Sequence, residues 1–197
     1  TESPLTVTQM LWVNLIMDTF AAMALASLPP SEKVMKDCPR DRNAFIINRS
    51  MGWNIIGVGG FFFVLLLVLL YIFEHADITA LRDILHLQLG EVNGLSPYEL
   101  TLIFTIFVMT HFFYLFNARA FETGRSALHF KGCRGLLFII SVIFIGQIAM
   151  VELPILQKFF NIVKGGLSVE DWAIILIGSS LVLWVREAWH LIKSSKE

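Results

Sequence analysis

Two polar side chains, Asn14 and Asp18, lie inside an otherwise apolar stretch that runs from Gln9 to Pro30. A spacing of four residues puts both on the same face of an α-helix, one turn apart. Both carry hard oxygen donors, which are the ligands that Ca²⁺ prefers. An acid within a membrane span is a functional-site hypothesis by default, because an ionised carboxylate is costly in hydrocarbon. The residues alone leave two interpretations open: a cation site, or a polar pair that hydrogen-bonds a neighbouring helix.

The composition is that of a polytopic membrane protein. Hydrophobic residues make up 56% and charged residues 16% of the 197 residues, whereas soluble domains average about 25% charged. The apolar runs are long and continuous rather than alternating, which favours helical spans over a barrel of strands. The 15 basic and 16 acidic residues nearly balance, and no basic run indicates nucleic acid binding. We therefore predict an all-α bundle of transmembrane helices in a lipid bilayer.

Five spans are predicted, and we assign them to one membrane domain over residues 1–197. Their approximate bounds are 7–28, 52–73, 97–117, 135–153 and 169–191. Pro29-Pro30 ends the first, because proline cannot continue the helical hydrogen-bond ladder. The segments Ser96–Glu99 and Ser168–Asp171 have the pattern of capping boxes and open the third and fifth.

Between the spans, the polar segment from Glu74 to Pro97 is predicted to contain a short helix. Its apolar side chains recur at helical spacing: Ile78, Leu81, Leu85 and Leu89. This stripe favours a helix lying flat at the membrane interface, or a cap on the bundle. Pro154 is expected to end the fourth span, and residues 155–167 are expected to form a loop.

Small and polar residues inside the spans indicate how the helices pack. Glycines crowd the first half of the second span, at Gly52, Gly57, Gly59 and Gly60. Small residues let helix backbones approach closely in membranes. We therefore expect a tightly packed neighbour there, either a helix of this sequence or one outside it. The alternative is that the glycines permit a kink. Gln147 in the fourth span is predicted to hydrogen-bond a neighbouring helix.

The distribution of basic residues predicts the orientation. Twelve Lys and Arg residues fall on one side of the predicted bundle: Lys33, Lys36, Arg40, Arg42, Arg49, Arg119, Arg125, Lys131, Arg134, Arg186, Lys193 and Lys196. Three fall on the other side, namely Arg82, Lys158 and Lys164. The positive-inside rule puts the larger group in the cytoplasm. The N-terminus is then outside and the C-terminus inside.

The string from Trp12 to Thr19, followed by Pro29-Pro30, resembles the sixth transmembrane helix of P-type Ca²⁺-transporting ATPases. The pair Ile16-Met17 is most similar to the plasma-membrane calcium pump branch, and the resemblance covers the chain as helices six to ten. It implies that Asn14 and Asp18 supply side-chain oxygens to the transported Ca²⁺. Met17 stands where the two-ion pumps have a Thr, which favours a single-ion site.

His111 is a third candidate polar position in the membrane. In the resemblance it falls where the two-ion pumps carry an ion-binding Glu. A neutral imidazole is a poor ligand for Ca²⁺, so His111 again favours one ion. Because its charge changes near neutral pH, it is also a candidate proton carrier. The alternative is an interhelical hydrogen bond.

The resemblance implies an ATP-driven pump of which this sequence holds only a part. The sequence contains no Asp-Lys-Thr-Gly-Thr phosphorylation motif and no Walker-type phosphate loop, so no catalytic residue is assigned to it. The enzyme would be the full-length parent, using ATP and Mg²⁺. The expected partners are its N-terminal membrane helices, which complete the ion site, and its cytoplasmic domains. Ca²⁺ takes six to eight oxygens, so we expect weak or no binding by this chain alone.

Three alternatives remain open. A pump of the same superfamily could move another cation, such as Mn²⁺, Na⁺/K⁺ or H⁺. A stand-alone structural protein of five spans would begin with Met or a targeting segment. This sequence begins with Thr1-Glu2, so we expect a longer polypeptide in the plasma or inner membrane. An intramembrane enzyme ranks last, because Asp18, His111 and Glu152 lie on different spans with no motif joining them.

Overall fold

The protein is seen in a computed structural model that describes residues 5–28, 45, 47–76, 78, 80–86, 90, 94–120, 126–128 and 133–194. Within these ranges the regular elements are all helical. The α-helices are α1 (Val7–Asn14), α2 (Ala22–Ala26), α3 (Arg49–His75), α4 (Pro97–Arg119), α5 (Arg134–Glu152), α6 (Pro154–Phe160) and α7 (Val169–Ser194). A π-helical segment, Leu15–Ala21, joins α1 to α2, and a 3₁₀-helix covers Leu81–His86.

Five helical stretches of the described chain are long and apolar enough to cross a membrane. They are Val7–Ala26, Arg49–His75, Pro97–Arg119, Arg134–Glu152 and Val169–Ile192. At 1.5 Å per residue, each reaches close to or beyond the roughly 30 Å of a bilayer core. The prediction of an all-α bundle with five such helices is confirmed. The connector after the first span, residues 31–44, lies outside the described residues.

The helix starts predicted from local sequence patterns are present. Ser96 and Glu99 exchange hydrogen bonds at the start of α4: Glu99 N–H donates to Ser96 Oγ (3.3 Å), and Ser96 N–H donates to Glu99 Oε2 (2.7 Å). Ser168 and Asp171 form the same reciprocal pair before α7, at 3.1 and 3.0 Å. These bonds satisfy backbone donors that have no partner within the helix. For this reason the short sequence patterns predict where the helices start.

The helix α4 forms the centre of the bundle. Its Leu102, Ile103, Phe104 and Met109 have no exposed surface, and its most extensive contact is with α7. Asn117 of α4 donates through Nδ2 to the carbonyl of Val182 in α7 (2.9 Å). A hydrogen bond of this kind between helices holds their register in a membrane, where apolar surface alone gives little preference.

Three carboxylates hold the loops together where α3 ends and α4 and α7 begin. Glu99 Oε1 accepts from the backbone N–H of Ile78 (3.2 Å), and Asp171 Oδ1 accepts from that of Leu81 (3.3 Å). Glu152 Oε1 accepts from the indole of Trp172 (2.8 Å). Ile78 and Leu81 are buried, so the short helix predicted in this loop caps the bundle. It has 3₁₀ geometry, and the side chains of Leu85 and Leu89 lie outside the described residues.

One helix departs from the prediction. Residues 155–167 are expected to be a loop, but α6 occupies Pro154–Phe160. Pro154 ends α5 and also opens α6, because its fixed φ and missing N–H suit the first position of a helix. Asn161 then ends α6 in the left-handed conformation, with φ of 55°. Gln157 holds the turn by donating through Nε2 to the carbonyl of Val151 (2.7 Å).

A groove of about 720 Å³ lies between α3, α4 and α7. Gly57 and Phe61 of α3 and Gly178 of α7 line its apolar part. A Cβ atom placed on Gly57, Gly59 or Gly60 would meet no described atom within 4 Å. The close packing expected at these glycines is therefore not made by the part of the chain that the structure describes.

Candidate cation site

The candidate site begins with the helix α1, whose start is fixed by its own sequence. Thr6 is the N-cap: its Oγ1 accepts from the N–H of Gln9 (3.3 Å), and Gln9 Oε1 accepts from the N–H of Thr6 (2.9 Å). Gln9 also reaches out of the helix and donates through Nε2 to the carbonyl of Phe160 at the end of α6 (3.1 Å). The start of the first span is thus tied to the segment after α5.

The backbone changes geometry where the two predicted ligands lie. Asn14 is the last residue of α1, and Asp18 lies in the π-helical segment Leu15–Ala21. In a π-helix the hydrogen bonds span five residues instead of four, which widens the turn, and such segments are frequent at functional sites. The structure describes the backbone of Asp18; its side chain and that of Met17 lie outside what it describes.

The first span has a buried face and an exposed face. Val13, Ile16 and Ala24 are buried against the bundle. Asn14 and Thr19 are exposed. An amide exposed on an apolar membrane helix has no partner in lipid to compensate its desolvation. Asn14 is therefore turned away from the described helices, toward a side of the span that the described residues leave open.

The helix α5 holds the first span on its buried side. Trp12 donates from its indole Nε1 to Gln147 Oε1 across the two helices (3.0 Å). A Cβ atom on the adjacent Gly146 would lie 3.2 Å from the Trp12 ring, so glycine is what lets the indole lie against the α5 backbone. The prediction that Gln147 hydrogen-bonds a neighbouring helix is confirmed.

A second contact with α5 lies at the other end of the π-helical segment. A Cβ atom on Gly135, in the first turn of α5, would lie 3.1 Å from Ser27 Oγ. Ser27 follows α2 directly, and its hydroxyl donates to the carbonyl of Ala24 (2.8 Å). The span is therefore in close contact with α5 both before and after the widened turn.

His111 lies in the interface of α3 and α4. Its ring stacks on Phe62 of α3, with centroids 3.6 Å apart and planes at 20°. Its Nδ1 hydrogen-bonds the carbonyl of Phe107 in its own helix (2.9 Å). The contact between the helices is thus a ring stack, and the hydrogen bond stays within α4. No described contact brings His111 to Asn14.

The described residues hold no cluster of three or more His, Cys, Asp or Glu side chains suited to a metal ion. What the described site contributes is an exposed amide, Asn14, beside a widened backbone turn. Ca²⁺ requires six to eight oxygen ligands. Any complete site on this face needs ligands from elements other than the described helices.

Two features of the site could not be predicted from local sequence patterns. The first is the π-helical segment Leu15–Ala21, because no local sequence pattern distinguishes it from the α-helix on either side. The second is the pairing of Trp12 with Gln147, which are 135 residues apart. The only sequence signal for it is the polar Gln147 directly after Gly146 in an apolar run.

Comparison with known proteins gives a consistent result. Residues 2–192 match the family described as "Cation transporting ATPase, C-terminus". The chain is 36% identical over 187 residues to plasma membrane calcium-transporting ATPase 4 of Bos taurus, covering 93% of this chain and 15% of that protein. It is 44% identical over 121 residues to calcium-transporting ATPase PAT1 of Dictyostelium discoideum, covering 59% of this chain and 10% of that protein.

The human plasma membrane calcium-transporting ATPase 4 is 34% identical over 187 residues, with 93% of this chain and 14% of that protein covered. The chain thus spans 10–15% of the length of these three relatives. The family match extends over nearly the whole sequence and includes all five membrane-length helices. This chain belongs to the C-terminal membrane domain family of the cation-transporting ATPases.

Proposed function

We propose that residues 1–197 form one membrane domain of a P-type pump that transports Ca²⁺, and that its first span supplies Asn14 and Asp18 to the ion. The observation that carries this proposal is the π-helical segment Leu15–Ala21, which interrupts the span at Asp18. Interrupted membrane helices free backbone and side-chain oxygens for cations near the bilayer midplane. The similarity to proteins named as calcium-transporting ATPases supports Ca²⁺ as the cargo.

The exposed position of Asn14 supports a site shared with helices from elsewhere in a longer polypeptide. Asn14 faces away from the described bundle, whereas Val13 and Ile16 face into it. Ligands that complete a shell of six to eight oxygens would have to approach from the open side. The domain thus contributes one wall of the site, and the preceding membrane helices of the pump contribute the other.

The groove between α3, α4 and α7 supports the same partners. It is wide, apolar and lined by Gly57 and Gly178, and no described side chain fills it. A membrane helix packs most closely where its neighbour presents glycine. We assign this groove to preceding membrane helices of the same polypeptide.

The driving reaction belongs to the cytoplasmic part of the proposed pump. ATP and Mg²⁺ would act there, and the phosphorylation motif of the family is absent from these 197 residues. Alternating access would then move the preceding helices against the bundle of α3, α4, α5 and α7. We assign the C-terminus to the cytoplasm by the positive-inside rule, because twelve basic residues lie on that side of the predicted bundle, and we assign the bundle to a plasma or inner membrane.

The test is Asp18→Asn in the full-length protein that carries this segment. We expect Ca²⁺-dependent phosphoenzyme formation and Ca²⁺ uptake into vesicles to fall to background, because the substitution removes the charge that binds the ion. The matched control is Asp171→Asn, which changes the same group in the loop cap. It should lower thermal stability while leaving the Ca²⁺ concentration for half-maximal phosphorylation unchanged.

Two results would overturn the proposal. One is a native polypeptide that is no longer than this chain and forms no phosphoenzyme. The other is an Asp18→Asn protein that still transports Ca²⁺ with unchanged affinity. If Mn²⁺, Na⁺ or H⁺ supports phosphorylation in place of Ca²⁺, the chain serves a pump for that cation instead.

A further inference from the structure

We infer that Trp12 and Gln147 are positioning residues that fix where the first span widens. Through this contact, α5 determines the orientation of the cation ligands on the first span. The inference rests on the function proposed above. It assigns a role in ion affinity to α5, a helix that contributes no ligand.

The first step of the argument is the environment of Gln147. The residue has no exposed surface, and its Oε1 accepts the Trp12 indole hydrogen at 3.0 Å. Its Nε2 has no hydrogen-bond partner among the residues that the structure describes. A buried amide that is half satisfied costs free energy that a leucine or methionine there would not. The hydrogen bond to Trp12 is the stabilising interaction of Gln147 that offsets this cost.

The second step is the rigidity of the contact. The Trp12 ring lies against the backbone of Gly146, where a Cβ atom would come within 3.2 Å of the ring. The ring also meets Phe160 edge to face, with centroids 5.9 Å apart. An indole held on one side by a helix backbone, on another by an aromatic ring and by a hydrogen bond has little freedom to turn. It therefore fixes the rotation of α1 about its axis.

The third step is the location of this contact along the span. Trp12 lies two residues before Asn14 and three before the π-helical segment begins. After that segment, Ser27 lies against Gly135 of the same helix α5. The widened turn is thus enclosed between two contacts with α5. If the first contact is lost, the wide turn is free to shift along the span, and each residue of shift rotates the intervening side chains by about 100°.

The consequence concerns affinity rather than turnover. Asn14 and Asp18 bind one ion together only if the rotation between them stays fixed. Trp12→Phe keeps the ring but removes the donor, and Gln147→Met keeps the length and removes the acceptor. Each should raise the Ca²⁺ concentration for half-maximal phosphorylation by about threefold or more, because residues in one hydrogen-bonded network are coupled. The maximal rate should change little.

The experiment measures Ca²⁺-dependent phosphoenzyme formation in the full-length protein with Trp12→Phe, Gln147→Met and the double variant. We expect the double variant to shift the half-maximal Ca²⁺ concentration no further than either single variant, since both remove the same bond. The matched control is Ser141→Ala on the exposed side of α5, where the hydroxyl only bonds Leu137 of its own helix. It should leave the affinity unchanged.

The outcomes separate this inference from the proposed function. If Asp18→Asn abolishes Ca²⁺ dependence but the Trp12 and Gln147 variants keep the original affinity, the positioning role is wrong and the cation site stands. Shifts that add in the double variant, or a fall in maximal rate and protein yield at constant affinity, also overturn it. If Asp18→Asn has no effect, the function itself fails.

Discussion

Single polar residues hold this apolar bundle together by forming hydrogen bonds with residues of the loops. Glu187 near the end of α7 is an example, since its Oε2 accepts from the Ser126 hydroxyl (2.7 Å) and its Oε1 from the Ala127 N–H (2.6 Å). Arg119 binds the same loop from α4, through its Nη2 and the carbonyl of Ala127 (2.9 Å). These bonds hold Ser126 and Ala127, which lie between α4 and α5, on the end of α7.

We predict that Glu187→Gln lowers the free energy of unfolding by about 1–3 kcal/mol, because the bonds to Ser126 and Ala127 lose their charged acceptor and hydrogen bonds to a charged group are the stronger ones. The measurement is thermal or denaturant unfolding of the purified chain in detergent. Glu170→Gln, near the start of the same helix, is the comparison. Its ion pair with Arg82 is long (3.8 Å) and exposed, so little or no change is expected. Equal losses in both variants would contradict the prediction.

The helices of the bundle differ in how completely this chain packs them. The α4 helix is the most buried of the five spans, and α3 is the least buried. Phe62, Phe107 and His111 form a ring cluster that joins α3 to α4. A Cβ atom on Gly57, Gly59 or Gly60 of α3 would meet no described atom within 4 Å. The described helices therefore cover only a small part of α3.

Gly146 and Gly57 give a matched pair of substitutions at this scale. Gly146→Val should destabilise the isolated chain by about 1–3 kcal/mol, because it forces atoms into the Trp12 ring. Gly57→Val should leave the isolated chain as stable as before, since its position is open. In the full-length protein Gly57→Val should impair assembly if the groove receives a neighbouring helix. Unfolding in detergent measures the stability of the isolated chain, and the yield of folded full-length protein measures assembly. If the Gly57→Val protein assembles normally, no neighbouring helix packs in the groove.

Much of this level of structure can be predicted from sequence because its causes are local. Long apolar runs predict the five spans, and Ser96 with Glu99 predicts the start of α4 by a pattern four residues long. The π-helical turn and α6 cannot be predicted in this way. The former has no local pattern, and we infer that it is fixed by contacts with α5 from distant residues such as Gln147; the latter depends on whether Pro154 ends one helix or opens another. The ligand role of Asp18 comes from the family resemblance and stays a prediction.

At the scale of the whole molecule, the distribution of charge predicts one orientation in the bilayer. The loop between α3 and α4 carries one basic residue, Arg82, whereas the connector after the first span carries four before Arg49. The three carboxylates that hold the loop cap lie at the end of the bundle that this rule puts outside the cell. The groove and the exposed Asn14 of the candidate cation site lie on the sides of the bundle.

Cysteine labelling checks the orientation. With Glu91→Cys introduced between α3 and α4, we expect a membrane-impermeant maleimide to label intact cells at residue 91. The native Cys38, in the connector predicted to be cytoplasmic, is the internal control and should be labelled only after permeabilisation. Cys133 is buried and is replaced by Ser to simplify the reading. Labelling of Cys38 in intact cells would reverse the assigned topology.

The widened turn between α1 and α2 also bears on insertions and deletions in this span. A single-turn π-helical segment holds one residue more than the α-helix that it interrupts. Removing one residue between Leu15 and Ala21 would therefore restore a regular helix without shifting Trp12. Asn14 and Ala24 lie on either side of the segment. Each would keep its distance from α5, but the rotation of one side chain relative to the other about the helix axis would change. The span is thus one residue longer than an unbroken helix between the same two contacts, and a one-residue deletion in this stretch is expected to change the geometry of the candidate site while both contacts with α5 remain.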